Sequence, residues 1–419
     1  CRTIRIDSVW HSVVLRTHPR AIHLVISSIV NLVPDYPGSA LKGAPAAGGK
    51  GCVGTGAGLM KKLNVAFVGC GRISDLHYLG YKNRTDATLV ALCDSNETRA
   101  KSKAKEWGIS RVYKDFSELL KQPDIDLVEL LLPHHLHCAM TLQALRAGKH
   151  VSVQKPMALN LAQADEMIAE AEKTGLVLRI YENFVLYPPN VEAKRLLTSG
   201  AIGEAQMLRM HVSTGKSKTQ WKVPLTTWIW RLNEETSGGG PLIFDHGYHL
   251  FSLAYDLMGP VKRVSAWIDR SKVPPGVYID APAVMMFQFQ GKTKYGTLDF
   301  ANTPNMVMDS IYYSDDDRVE IIGDKGIIIV NRCTAKTLDY PPLVLFKDGI
   351  TREVPVERYE WHDSFIDCTH HLIDVLTKGG DPRLDGRTAR NVLEFSIAAH
   401  ESARINREVV INQAAVTRK

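Results

Sequence analysis

Cysteine is scarce in this 419-residue chain, and its seven residues, at positions 1, 52, 70, 93, 138, 333 and 368, form neither a CxxC pair nor a closely spaced framework. That excludes a disulfide-stapled scaffold and fits reduced thiols in the cytoplasm. Long apolar runs are also missing. The best candidate, residues 21–33, is interrupted by His23, Ser27, Ser28 and Asn31 and falls short of the roughly 20 residues a helix needs to cross a bilayer. Nor is there an excess of one charge: the formal +6 comes from 51 Lys+Arg against 45 Asp+Glu, and residues 1–59 hold six basic and two acidic residues of these. The remainder is near balance and calls for neither a nucleic acid nor a membrane partner.

Repeats, coiled-coil heptads and a phosphate-binding P-loop are absent too. Gly54-Thr55-Gly56-Ala57-Gly58 imitates a nucleotide loop but follows no strand, and Lys50 precedes Gly51 rather than Ser or Thr. Residues 1–59 read unlike the rest, with a basic front, an apolar middle, Pro34, Pro37 and a Gly/Ala-rich tract, but no clear cleavage site. We expect translation to begin at Met60 and residues 1–59 to be upstream sequence or a non-globular extension. The composition, 45% apolar and 23% charged, is that of an ordinary globular protein, and the length suits two domains.

What is present is organised around residues 63–94, LNVAFVGCGRISDLHYLGYKNRTDATLVALCD. An apolar run meets Gly69-Cys70-Gly71-Arg72-Ile73-Ser74, then a helical pattern, then a second apolar run closing on Asp94. Each part suits a dinucleotide: one glycine for the sharp turn, a second for close approach of backbone to pyrophosphate, and a helix N-terminus for its charge. Asp94 can accept from a ribose diol and repels a 2′-phosphate, so it favours NAD over NADP without barring the latter. Ser74 stands where a third small residue is usual, which predicts slightly looser packing of helix on sheet.

Strands near Val65, Leu89, Leu127 and Val151 alternate with helices, and residues 126–132 read as a buried strand ending at Pro133. A helix over 136–145 is closed by Gly148, and Asn160 with Gln163 opens another that Gly175 ends. A last strand, 176–181, leads to Asn183. This alternation predicts a doubly wound parallel sheet with its crevice at the carboxyl ends of the strands, over residues 60–183. Residues 184–419 change pattern: one long helix over 241–258, β-rich stretches at 261–268, 283–290, 295–300, 318–322 and 326–330, turns at Gly291-Lys292 and Asp324-Lys325-Gly326, and a final helix over 387–406. They predict an α+β domain with a large open, mostly antiparallel sheet.

Several side chains have chemistry to offer. Gln154-Lys155-Pro156 ends a strand, and Pro156 biases Lys155 toward extended geometry, although a lone Lys-Pro is also an ordinary surface turn. Asp245 and His249 are four apart on the long helix, where an acid orients an imidazole for proton transfer or merely forms an ion pair. Pro133-His134-His135-Leu136-His137-Cys138, with His246 and His249, invites a zinc reading, but no spacing matches a structural motif and no metal is expected. Trp221, Trp228, Trp230 and Arg231 offer faces and donors to a sugar, or plain packing.

Taken together these residues resemble the Gfo/Idh/MocA family of NAD(P)-dependent oxidoreductases over nearly all of residues 63 to about 412. The likeness rests on the nucleotide turn, the Pro133-to-His137 loop, Ala147-Gly148-Lys149-His150-Val151 leading to Lys155-Pro156, Asn183, the glycines before Asp245-x-Gly247-x-His249, and the Gly323-Asp324-Lys325-Gly326 turn. The resemblance implies a Rossmann domain binding NAD through Gly69, Gly71, Arg72, Ile73, Asp94, Pro133, His137, Gln154, Lys155 and Asn183. It implies catalysis by Lys155, Asp245 and His249, which would meet beside the nicotinamide, and a substrate site of Lys155, Trp230, Arg231, Asp245, His246 and His249.

The implied reaction moves hydride between nicotinamide and a secondary alcohol or ketone of a sugar or inositol-like polyol. His249, oriented by Asp245, would handle the proton, and Lys155 would stabilise the oxygen or share that proton. Two alternatives use the same sites: an NAD-dependent glycoside-cleaving enzyme with transient oxidation, and a non-catalytic sugar-responsive regulator. The resemblance further implies that the open sheet is an oligomer surface, in a homodimer or tetramer. Two positions depart from the family: its Glu-Lys-Pro is Gln154-Lys155-Pro156, which removes an anion from beside Lys155, and an Arg common two residues after the Asn is Val185.

Overall fold

The run Leu63–Val68 forms strand β1 with no fully exposed residue except at its approach, as expected of a strand covered on both faces. It is central in a six-stranded sheet with β2 (Ala87–Cys93), β3 (Arg111–Tyr113), β4 (Leu127–Leu130), β5 (His150–Gln154) and β6 (Leu178–Tyr181). Every neighbouring pair is parallel and the order is β3-β2-β1-β4-β5-β6. The order reverses between β1 and β4, so a crevice opens there beyond the carboxyl ends. The computed structural model describes residues 62–411 except 274–276, 292 and 332–333. The expectations for residues 1–59, for a start at Met60 and for Lys292 lie outside the described residues.

Helix boundaries in this half follow local chemistry. Helix Leu161–Thr174 starts where the Asn160 side chain accepts the Gln163 N–H and stops at Gly175, φ +67°. Gln163 Oε1 reaches back to the Leu159 N–H, 3.1 Å, one residue short of the reciprocal cap. β3 escaped the sequence reading because three residues carry no period.

The second sheet has nine strands: β7 (Ala205–Lys216), β8 (Val261–Ile268), β11 (Ala283–Phe289), β12 (Tyr295–Val307), β13 (Asp315–Gly323), β14 (Gly326–Val330), β15 (Leu343–Lys347), β16 (Ile350–Glu353) and β17 (Val409–Val410), while β9 (Ser271–Val273) pairs apart with β10 (Val277–Ile279). Its order is β16-β15-β14-β13-β7-β12-β11-β8-β17, antiparallel throughout except for β7 beside β12. The expected open, mostly antiparallel sheet is therefore present, but its central strand β7 was not expected. Its period-two signal was there to be read: Leu208, Met210 and Val212 are buried, with Gln206 and Arg209 outward. The inner face packs on helices Gly247–Met258 and Gly386–Ile405, with Phe395 against Phe251 at 4.7 Å and Phe287 at 4.9 Å between ring centroids.

The expectation of a single long helix between residue 190 and the last helix is corrected. Pro188–Thr198 and Trp361–Lys378 are also helices, the latter capped by Glu360 and Asp363 in a reciprocal box. The helix expected over 241–258 is two pieces, a π-helical turn Pro241–His246 running into α-helix Gly247–Met258. Asp280 accepts three N–H groups of the turn, from Leu242, Ile243 and Phe244 at 2.8, 2.7 and 3.0 Å. One carboxylate thus satisfies the orphan donors of that helix start. Among the described residues no helix is long and apolar enough to cross a membrane.

Candidate active site and cofactor crevice

The glycine turn after β1 is built as its residues require. Gly69 has φ +98°, and a Cβ there would lie 2.3 Å from the Leu131 carbonyl oxygen, so only glycine fits. Gly71 differs: a Cβ there would meet no protein atom within 4 Å. What Gly71 leaves clear is the space over the turn, and that fits a pyrophosphate laid on the backbone. Ser74 is fully buried and donates its hydroxyl to the Gly71 carbonyl, 2.6 Å. Ile73 flanks the turn and packs on the core, and the Arg72 guanidinium lies 5.0 Å over the Trp221 ring.

Asp94 occupies the expected place at the end of β2, but its carboxylate is already engaged. It accepts from the Cys70 N–H at 2.8 Å, the Asn96 N–H at 2.8 Å, and Arg99 Nε and Nη2 at 2.9 and 2.7 Å. Burial alone would raise its pKa; Arg99 and the two N–H donors outweigh burial and lower it. In this structure Asp94 braces the glycine turn, with its four acceptor positions filled. Cys70 and Cys93 are buried, and burial pushes both thiols up to about 12, so their role is packing.

On the opposite side of the crevice, Lys155 projects from the loop after β5. Its ammonium donates to the Asp245 carbonyl, 2.7 Å, and to Asp245 Oδ1. Arg231 Nε donates to Asp245 Oδ2, 2.7 Å. Burial would raise the Asp245 carboxyl, but Lys155 and Arg231 hold it well below the usual range. The anion beside Lys155 is thus Asp245, from another element, while Gln154 turns its amide toward His77, 2.6 Å.

The expectation that Asp245 orients His249 is corrected. The Asp245 carboxylate turns to Lys155 and Arg231 rather than to the imidazole four residues on. His249 Nδ1 is instead 2.7 Å from Glu182 Oε1, and Phe184 stacks on its ring at 4.2 Å. Burial lowers the His249 pKa; Glu182 opposes this and Lys155 adds to it.

Other expected residues hold the walls. His137 lies between two carbonyls, Nδ1 2.8 Å from that of Pro156 and Nε2 2.9 Å from that of Leu132; burial drives its pKa down to about 3, so the neutral ring donates to one of them. It pins the loop carrying Pro133 to the loop carrying Lys155. Asn183 is buried and donates to Ser364 Oγ at 2.7 Å. Trp230 packs on His134 at 4.6 Å and lies 4.5 Å under the Arg231 guanidinium. Trp221 belongs to a buried aromatic cluster with Tyr312, Tyr313 and Trp361. Val185 is in the core, where no polar contact is offered. His246 lies 3.0 Å from Asp317 and 3.7 Å from Asp315. Burial would lower its pKa, yet the two acids raise it to about 9.

Glu182, Asp315 and Asp317 went unread in sequence, and His134 was noted there only as part of the histidine loop. Glu182, at the end of an apolar strand, is almost fully buried; an acid there is costly unless paired, and that was the available signal. His134 donates Nδ1–H to the Ser237 carbonyl at 2.7 Å and reaches within 3.6 Å of Asp245 Oδ1. Asp315 and Asp317 open β13 in a run of three acids that reads as a solvated turn. Burial pushes Asp315 up to about 6, with His246 opposing.

Residues 63–182 match the family described as oxidoreductase family, NAD-binding Rossmann fold, and residues 190–329 match the GFO/IDH/MocA C-terminal domain. The chain is 27% identical over 355 residues to a D-apiose dehydrogenase of Paraburkholderia graminis, covering 84% of this chain and 90% of that protein. It is 26% identical over 362 residues to a myo-inositol 2-dehydrogenase of Thermotoga maritima, covering 84% and 99%. An oxidoreductase from Agrobacterium radiobacter, solved with NAD+, L-tartaric acid and magnesium, superposes with a TM-score of 0.70 at 23% identity, covering 83% of this chain and 98% of that one, a likeness of fold.

Proposed function

The chain belongs to the Gfo/Idh/MocA family of oxidoreductases, and from its site we propose a nicotinamide-dependent dehydrogenase acting on a secondary alcohol or ketone of a sugar or cyclic polyol. One observation carries this reading: Lys155 and the Glu182–His249 pair stand at the same crevice as a glycine turn shaped for pyrophosphate. The relatives named for D-apiose and myo-inositol support the substrate class. NAD, when bound, supplies the hydride acceptor.

The chain's own residues handle the proton and the oxygen. Glu182 accepts the Nδ1–H of His249, which sets the tautomer and leaves Nε2 as a lone pair able to take a hydroxyl proton. The Lys155 ammonium stabilises the oxygen as the proton leaves it. Asp245 holds that ammonium in place, and Arg231 holds Asp245. Gly69, Gly71, Arg72, Ile73, Pro133, His137, Gln154 and Asn183 form the cofactor side of this reading, and Asp94 serves it by bracing the glycine turn. Trp230, Arg231 and His246 form the substrate side.

We also read the protein as a cytosolic homo-oligomer, dimer or tetramer. The described cysteines Cys70, Cys93, Cys138 and Cys368 are free and buried. On the outer face of the second sheet Trp267, Val284 and Met286 are 59%, 49% and 50% exposed on adjoining strands, an apolar patch that suits a second copy.

The test is the full chain in a panel of inositols, aldoses and their keto forms, with NADH absorbance and product release followed together. Oxidation of one class with matching NADH is expected. Sugar release from a glycoside without net NADH would instead establish the glycoside-cleaving reading, and binding without any turnover the regulator.

A further inference from the structure

Beneath the crevice lies a buried polar chain that the proton-handling groups do not use. Glu129, within β4, is fully buried; one carboxylate oxygen accepts from the Tyr81 hydroxyl at 2.6 Å and the other faces His77 Nδ1 at 2.6 Å. His77 is itself fully buried, with Tyr181 against its face at 3.8 Å and Phe67 and Phe365 at its edges. Its Nε2 lies 2.6 Å from the Gln154 amide nitrogen, and Gln154 Oε1 accepts from the Lys155 N–H at 3.3 Å.

The positions of the protons follow from these partners. A carboxylate only accepts, so the Nδ1 hydrogen of His77 points at Glu129. Burial lowers the His77 pKa, Glu129 opposes it and Arg179 of β6 adds to the lowering; the group facing Nε2 is an amide nitrogen, a donor, so the ring carries a single hydrogen. Nε2 then bears a lone pair. A lone pair accepts an amide N–H from residue 154 and would repel a carboxylate there.

We propose that His77 is a positioning residue for Gln154: it takes one amide N–H and thereby turns the Gln154 carbonyl oxygen to the crevice edge beside Lys155, as an acceptor for a donor group of the cofactor. The inference rests on the reading of Gln154 as a cofactor residue. It also accounts for the glutamine in Gln154-Lys155-Pro156: with Glu129 on one side of the ring, a second carboxylate at 154 would demand an imidazolium between two acids. The amide at 154 and the acid at 129 are a matched pair.

Two experiments on the full chain test this. In nitrogen-15 NMR, with the His77 signal assigned by its loss in His77→Asn, the ring is expected as the neutral Nδ1–H form across neutral pH. In Gln154→Glu it is expected to become doubly protonated. The second experiment titrates NADH by fluorescence without substrate. His77→Asn keeps a donor near Nδ1 for Glu129 but removes the acceptor for Gln154. It should weaken NADH binding about fivefold, the worth of one neutral hydrogen bond, and Gln154→Ala should do at least as much. An Nε2–H tautomer, or His77 signals unmoved by Gln154→Glu, overturns the proposal. So does full NADH affinity in His77→Asn when Gln154→Ala is weakened. Full affinity in Gln154→Ala removes the cofactor reading of Gln154, and the proposal with it.

Discussion

His249 directs Nδ1 to Glu182 Oε1 at 2.7 Å, across 67 residues of sequence, and not to Asp245 in the turn just before its helix. Glu182 raises the His249 pKa against the larger effect of burial. Removing its charge in Glu182→Gln should therefore lower that pKa further and move the acid limb of kcat/KM for alcohol oxidation to lower pH. The loss of orientation should cost about 10- to 100-fold in kcat. An unmoved limb would show that His249 is not the base.

Lys155→Met should leave NADH affinity within about twofold and reduce turnover by roughly 100- to 1,000-fold, the scale of one lost oxyanion donor. Asp245 keeps Arg231 as a partner in this variant, so the fold should hold. Fluorescence titration and steady-state rates on the same preparation separate the two effects, and normal turnover would remove Lys155 from the mechanism.

The two glycines of the turn should part company when each is changed to Ala. Gly69→Ala meets the Leu131 carbonyl at 2.3 Å in a left-handed backbone and should destabilise by about 2 kcal/mol or more. Gly71→Ala meets no protein atom, so its melting temperature should stay within about 2 °C. Its NADH affinity should fall roughly tenfold, because the methyl enters the space kept for the pyrophosphate. Calorimetry with and without NADH decides the matter.

His246 links stability to pH. Its folded pKa of about 9 lies above the ordinary 6.5 or so, so its contribution is complete below about pH 6.5 and is lost as pH rises through about 9. Apo-protein melting should fall between pH 7 and 9.5 for this reason. His246→Gln should flatten that slope while costing stability at pH 7. An equal slope in the variant would place the effect elsewhere.

Much of this architecture is carried by short stretches of chain. Gly69 demands its positive φ from the residue alone, the runs around Val65, Leu127 and Val151 announce strands buried on both faces, and Asn160 and Gly175 mark a helix from its ends. Such signals depend on stereochemistry and periodicity within a dozen residues, so the parallel sheet, the glycine turn and the place of Lys155 were legible. Which groups would face one another was settled by folding. Lys155 meets Asp245 from 90 residues away, His249 meets Glu182, and Glu129 meets His77 from 52 away. A buried charge takes whichever partner the packed elements bring within reach, because leaving it unpaired in a low-dielectric interior costs more than breaking a local i,i+4 pattern.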